Sequence, residues 1–158
     1  MPTSSASLFG DLDVAVTPDA PVGAAMTWYG IGGRADLLVR PRSVEALATL
    51  VKRCHRSGTP LRVLGSGANL LVADEGVVGV VVKLDEAPPH RAFAEIKYNA
   101  HGEVHAMKAM AGADMSKTLM DATRRGLEGL SQMAGIPASV GGAIRMNAGG
   151  AYGSIGDA

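Results

Sequence analysis

An apolar strand enters a bend of small residues and an apolar strand leaves it at Val63-Leu64-Gly65-Ser66-Gly67-Ala68-Asn69-Leu70-Leu71-Val72, and this segment most constrains the chain. Glycine tolerates positive φ, so Gly65 and Gly67 let successive backbone N–H groups converge on one point. Such a nest binds an anion, typically a diphosphate, without any Lys or Arg. Asn69 adds a side-chain amide or locks the bend; the competing reading is a plain tight turn between two strands. A second cluster runs from Ala134 through Gly135-Ile136-Pro137-Ala138-Ser139-Val140-Gly141-Gly142-Ala143 and on through Asn147-Ala148-Gly149-Gly150 to Gly153. Backbone bare of side chains over that length lets a large flat ligand lie against the main chain. Pro137 stiffens the approach, and Gly141-Gly142 are placed to open a short helix at a phosphate. The alternative is a flexible linker, against which stand the apolar Ile136, Val140, Ile144 and Met146.

Composition narrows the field. The chain has 158 residues, 47% hydrophobic and 19% charged, which is enough apolar side chain for a packed core. Lys plus Arg equals Asp plus Glu at 15 each, so no global field draws nucleic acid or an acidic membrane surface. The single cysteine, Cys54, excludes an internal disulfide and any multi-cysteine metal site. No Lys or Arg precedes residue 28, so the N-terminal segment has neither a secretory n-region nor an Arg-rich transit pattern. The longest apolar stretch, near Val77–Val82, is far short of the roughly 20 residues of a membrane span. The expectation is a soluble cytoplasmic chain with no membrane and no nucleic-acid partner.

Patterning organises the chain into a loose arm over 1–24, a first subdomain over 25–87 and a second over 88–158. Asp36–Arg40 reads as a strand ended by Pro41. Ser43 is an N-cap, Val44, Leu47, Ala48, Val51 and Cys54 recur at helical spacing, and Gly58 closes the helix. Leu61–Leu64 and the β-branched Val77–Leu84 are further strands, and the boundary falls in Asp85–Arg91. Phe93–Tyr98 alternates as a strand, Asn99–Gly102 turns, and Glu103–Ala111 returns beside it. A helix spans Asp114–Arg125, with Met115, Leu119 and Ala122 on one face and Gly126 at its end. The last 30 residues carry almost no periodicity.

Several familiar motifs fail on context. Gly30-Ile31-Gly32-Gly33-Arg34-Ala35 matches G-x-G-x-x-A, but a strand follows it where a dinucleotide fingerprint needs a helix. No phosphate-loop G-x-x-x-x-G-K-[ST] occurs. His101-Gly102-Glu103 imitates the opening of a zinc deaminase signature without its P-C-x-x-C partner, so these histidines read as solvated turn residues. No nucleophile elbow is present.

Four segments in order and spacing resemble the UDP-N-acetylenolpyruvoylglucosamine reductase (MurB) family of bacterial peptidoglycan synthesis. They are Thr27-Trp28-Tyr29-Gly30-Ile31-Gly32-Gly33-Arg34-Ala35, the Leu64–Val72 bend, Gly126-Leu127-Glu128-Gly129-Leu130 and the Gly135–Tyr152 block. The resemblance covers residues 26 to 158. It implies an α+β, two-subdomain FAD-binding fold of the vanillyl-alcohol-oxidase/p-cresol-methylhydroxylase type, with FAD between the subdomains. The cofactor positions it carries onto this chain are Gly65, Ser66, Gly67, Ala68, Asn69 and Leu70 around the diphosphate. Beside the flavin it places Gly135, Ile136, Pro137, Ser139, Val140, Gly141, Gly142, Asn147, Ala148 and Gly149. NADPH is the implied reductant, and the implied substrate is a small UDP-sugar whose enolpyruvyl double bond receives a hydride to give UDP-N-acetylmuramate. A cytoplasmic enzyme, monomeric when complete, is implied too.

In that family the Arg and Glu that stabilise the enolate and the Ser that donates the proton lie beyond the Tyr152 motif, as does the substrate domain. The expectation is therefore a truncated second subdomain, no catalytic residue on these 158 residues and no turnover by this chain alone. Arg145, amid small residues, is an oddity, read either as a solvated helix residue or as a phosphate partner. Other readings are a different flavin oxidase or dehydrogenase of the same fold, and a non-catalytic flavin-binding module.

Overall fold

The computed structural model describes residues 9–84, 92–101 and 104–157. The chain divides into two compact units, Met1–Leu84 and Asp85–Ala158. The expected boundary stretch, Asp85–Arg91, lies outside the described residues, as do residues 1–8 of the expected arm.

The first unit is a four-stranded sheet in the order β1-β2-β4-β3, from β1 (Val14–Ala20), β2 (Ala35–Pro41), β3 (Leu61–Leu64) and β4 (Val77–Lys83). Strands β2, β4 and β3 are parallel, and β1 runs antiparallel to β2 with Val16 opposite Val39. Helix α2 (Val44–Ser57) joins β2 to β3. Its ends follow the sequence signals. The Ser43 Oγ accepts the Ala46 N–H at 3.1 Å, and Gly58, at φ +65°, closes the C-terminus with its N–H on the Cys54 and His55 carbonyls. The buried stripe differs from the expected one: Ala46, Leu50 and Cys54 face inward, whereas Val44 and Val51 are exposed. A four-residue step keeps side chains on one helix face, and Leu50 sets where that face points.

Alternation along the central strands serves two cores. Leu37, Val39, Val80 and Val82 pack with Leu50, Cys54 and Phe9 on one side. Leu38, Val81 and Leu64 pack with Ala20 and Val22 on the other. A strand buried on both faces reads as a continuous apolar run, as Leu37-Leu38-Val39 and Val80-Val81-Val82 do.

The expectation of a loose arm over 1–24 is corrected from residue 9 onward. Phe9 is 1% exposed, β1 is a full edge strand, and α1 (Val22–Met26) covers the second core. Patterning missed the segment because β1 buries only its last residue, leaving no clean alternation. Arginines reinforce it: Arg53 grips Asp11 with bonds of 2.5 and 2.6 Å, Arg42 pairs with Asp13 at 3.4 Å, and Arg34 with Asp19 at 2.8 Å.

In the second unit, β5 (Ile96–His101) and β6 (Val104–Ala109) form the expected hairpin, displaced by a few residues. Asn99 sits within the ladder opposite Ala106, so pairing overrides its turn preference. Phe93 precedes the strand and is buried, its carbonyl accepting the Gly112 N–H at 2.7 Å. Helix α3 (Met115–Arg124) is capped by the Asp114 carboxylate on the Lys117 N–H at 2.8 Å. It buries Met115, Thr118 and Ala122. Order continues where periodicity had given almost nothing. A 3₁₀ turn spans Ser131–Met133, then come α4 (Val140–Met146), the two-residue strands β7 (Gly149–Gly150) and β8 (Gly153–Ser154), and a 3₁₀ turn at Ile155–Asp157. Met115, Met133, Val140, Ala113 and Ala143 form this unit's core. The His101-Gly102-Glu103 motif falls partly on residues outside the described ones.

The Arg53 guanidinium lowers the Asp11 pKa from 3.8 to about 2. A carboxyl whose folded pKa is depressed stabilises the fold above its unfolded value, and that contribution disappears as pH falls through the folded one. Urea melts of the parent and Asp11→Asn are therefore expected to differ above pH 4 and to converge as pH falls toward 2. A difference that persists at pH 2 would contradict this assignment.

Candidate functional site: two glycine loops

Residues 65–76 leave β3 and reach β4 without a strand between them, although Leu70-Leu71-Val72 had read as one. The loop is instead held by the segment preceding β2. The Trp28 N–H donates to the Gly67 carbonyl at 2.9 Å and the Gly33 N–H to the Ala73 carbonyl at 3.0 Å. Val77 N–H donates to Arg34 at 2.8 Å, and Gly23 N–H to Gly33 at 3.0 Å. Backbone meets backbone at this seam. A Cβ on Gly23 would strike Gly32, one on Gly32 would strike Val72, one on Gly76 would strike Arg34, and one on Gly67 would strike the Met26 carbonyl. The abortive fingerprint Gly30–Ala35 is thus the backing of the 65–76 loop. Its glycine density was visible in sequence, but its partner lies some 40 residues away and no local pattern names it.

Within the bend, Gly67 takes φ +75° and is buried, whereas Gly65 is not in the positive-φ region. The N–H groups of Ser66, Gly67, Ala68 and Asn69 donate to no acceptor among the described residues. Ser66, Asn69 and Leu70 are exposed, and Gly65 and Ala68 half-buried. A short run of unspent donors on a rigid backing is what an anion-binding nest requires. Beside it the same two segments expose apolar side chains: Trp28 70%, Tyr29 57%, Ile31 59% and Leu71 65%. Sequence reasoning gave these four no task.

The second glycine block behaves differently. Ser139, buried, caps α4 by accepting the Gly142 N–H at 3.2 Å. The Val140 N–H goes to Ala113 at 2.9 Å and the Gly141 N–H to Ala111 at 2.8 Å. The first turn of α4 therefore has its donors engaged within the chain, and the expectation of a phosphate at Gly141-Gly142 finds none on offer there. Gly141 is small for a packing reason, since a Cβ would come within 2.9 Å of the Ala111 Cβ. Val140 belongs to the unit's core, with Ile136 and Ala148 packed against it, while Gly135 and Pro137 are exposed.

Asn147 ends α4 in the left-handed region at φ +46°, and its Oδ1 accepts the Gly156 N–H at 3.0 Å. Gly149 enters the β7–β8 hairpin, where a Cβ would come within 2.6 Å of the Gly153 carbonyl. The Asp157 carboxylate accepts both the N–H and the hydroxyl of Ser154, at 2.7 and 2.8 Å, and those bonds lower its pKa. Arg145 is exposed on α4 and Tyr152 is 88% exposed at the hairpin turn. Burial raises the Cys54 thiol pKa, which keeps it protonated and inert. Among the described residues no cluster of His, Cys, Asp and Glu is arranged to hold a metal, and no helix is long and apolar enough to cross a membrane.

Two substitutions separate packing from conformation at these loops. Gly32→Ala meets both a positive φ (+101°) and the Val72 backbone, and is expected to cost about 3 kcal/mol or more. Gly58→Ala meets a positive φ with nothing nearby and should cost about 1 kcal/mol. Urea denaturation of both variants checks the order. Asn147→Gly should keep the α4 terminus but lose the Gly156 bond, seen as faster Gly156 amide exchange than in the parent.

Residues 35–158 match the family described as FAD binding domain. UDP-N-acetylenolpyruvoylglucosamine reductase of Heliobacterium modesticaldum is 43% identical over 82% of this chain and 38% of its own length. That of Moorella thermoacetica is 42% identical over 92% of this chain and 45% of its own. The chain thus spans less than half the length of these relatives. The crystal structure of MurB from Thermus caldophilus superposes with a TM-score of 0.64 at 33% identity, covering 92% of this chain and 46% of that one. Cholesterol oxidase from B. sterolicum, 22% identical with a TM-score of 0.64, shares the fold alone. The fold is accordingly α+β of the vanillyl-alcohol-oxidase type. The chain belongs to the FAD binding domain family, and over most of its length it is similar to the FAD-binding part of UDP-N-acetylenolpyruvoylglucosamine reductases.

Proposed function

We propose that this chain supplies the FAD-binding part of a flavin-dependent reductase that converts UDP-N-acetylenolpyruvoylglucosamine to UDP-N-acetylmuramate for peptidoglycan synthesis, with NADPH as the reductant. The observation that carries the reading is the bend at Ser66–Asn69, whose N–H groups meet no acceptor among the described residues and suit the diphosphate of FAD. Family membership supplies the cofactor, and similarity to the named reductases supplies the substrate class. FAD, when bound, supplies the two-electron chemistry; the protein's part is to hold and orient it.

In this reading Gly65, Ser66, Gly67, Ala68, Asn69 and Leu70 hold the diphosphate end. Gly135, Ile136, Pro137, Ser139, Val140, Gly141, Gly142, Asn147, Ala148 and Gly149 approach the flavin. The core positions of Val140, Ile136 and Ala148 favour contact through main chain and side-chain edges over polar groups. No residue of these 158 is assigned to proton transfer or enolate stabilisation, so the chain by itself is expected to bind FAD without turning substrate over. A cytoplasmic enzyme, monomeric when complete, belongs to this reading through the similarity to the named reductases.

Trp28 is the single tryptophan, and its backbone N–H is tied to the Gly67 carbonyl. FAD titrated into the purified chain is expected to quench Trp28 emission and to shift the flavin absorption between ~300 and 550 nm. A folded chain that leaves both spectra unchanged at cofactor concentrations of about 100 μM would overturn the cofactor reading.

A further inference from the structure

Beyond the seam already described, one side chain reaches the bend from another strand. Lys83 closes β4 directly opposite Leu64, the last residue of β3. From there its Nζ donates to the Gly65 carbonyl at 2.7 Å, one of the interactions this side chain makes, in a half-buried position. The Gly67 carbonyl is tied back in turn by the Trp28 N–H at 2.9 Å. In a trans peptide the C=O and the following N–H point to opposite sides. A donor on the Gly65 carbonyl therefore turns the Ser66 N–H away from Lys83, and a donor on the Gly67 carbonyl does the same for the Ala68 N–H. The seam supplies one of these two constraints through fixed backbone, and a single side chain supplies the other.

That difference matters because of what Gly65 is. With no Cβ, it does little to resist rotation of the Gly65–Ser66 peptide. A rotated peptide would present a carbonyl oxygen where the nest should present an N–H, and a carbonyl dipole repels an anion that an N–H attracts. We propose that Lys83 is the positioning residue of the bend: by holding the Gly65 carbonyl it sets the Ser66 N–H for the diphosphate of a dinucleotide cofactor. This rests on the cofactor reading above. Lys83 acts through backbone and need not touch the ligand.

The test compares FAD, ADP and riboflavin as probes on the 158-residue chain, by titration calorimetry. FAD and ADP carry a diphosphate and riboflavin does not. Lys83→Met keeps the aliphatic stem and removes the donor. It should weaken FAD and ADP about tenfold or more, the usual scale for losing a charge-assisted hydrogen bond, and leave riboflavin within twofold. Lys83→Arg restores a donor and should return FAD affinity to within about threefold of the parent. Lys52→Met, the same charge change on the exposed face of α2, should alter nothing. Circular dichroism melts establish that each variant is folded; should Lys83→Met not fold, Lys83→Gln carries the comparison.

Equal loss for all three probes would mean general damage to the unit and would overturn the inference. So would unchanged FAD and ADP binding in folded Lys83→Met, and either result leaves the cofactor reading standing. A folded parent that binds neither FAD nor ADP overturns the cofactor reading, and this inference falls with it.

Discussion

Close backbone-to-backbone contact between residues 23–34 and 65–76 is the constraint on which the first unit depends. Hydrogen bonds from Trp28, Gly33 and Val77 cross this seam, and glycine stands wherever a Cβ would collide with the opposite main chain. Such a seam has two effects. It closes the second core, because Val72 packs with Val22, Leu38 and Val81 only if its loop lies flat. It also ties down the Gly67 end of the bend while keeping the Ser66–Asn69 N–H groups out of the seam's own bonding. An anion site built from backbone alone needs that restraint, since flexible donors must be ordered at the moment of binding.

The two glycine blocks use the same residue for different ends. In the first, glycine allows close approach and the N–H groups of Ser66–Asn69 meet no acceptor among the described residues. In the second, Gly141 lets α4 press on Ala111 and Gly149 lets the hairpin close, while the donors at the head of α4 are already bonded to Ala111, Ala113 and Ser139. The first block is therefore suited to a charged group, whereas the head of α4 in the second has its donors engaged. Arg145 and Tyr152, exposed on α4 and the hairpin turn, stand outside this packing.

Much of the regular structure could be read from local chemistry. Ser43 and Gly58 marked the ends of α2, Asp114 and Gly126 those of α3, and the β-branched run marked β4, because caps and apolar runs are short-range signals. The resemblance to the reductase family was also legible, as four ordered motifs. Strand β1 was not: it buries one residue of seven, so its place is fixed by pairing with β2 and by the Asp–Arg pairs that flank it. Nor was the hairpin register, where Asn99 sits in a strand against its own preference.

What the amino-acid sequence by itself determined, then, is where glycine, capping residues and apolar runs fall, and hence which segments become helices, central strands and bends. The roles of individual glycines were decided by tertiary structure. Whether a glycine gives a turn, a close approach or an open donor depends on what lies across from its missing Cβ, and Val72, Arg34 and Met26 are distant in sequence from Gly32, Gly76 and Gly67. Lys83 belongs to the same class. Its reach to Gly65 exists only because β3 and β4 are parallel neighbours in a register that sets Leu64 beside it.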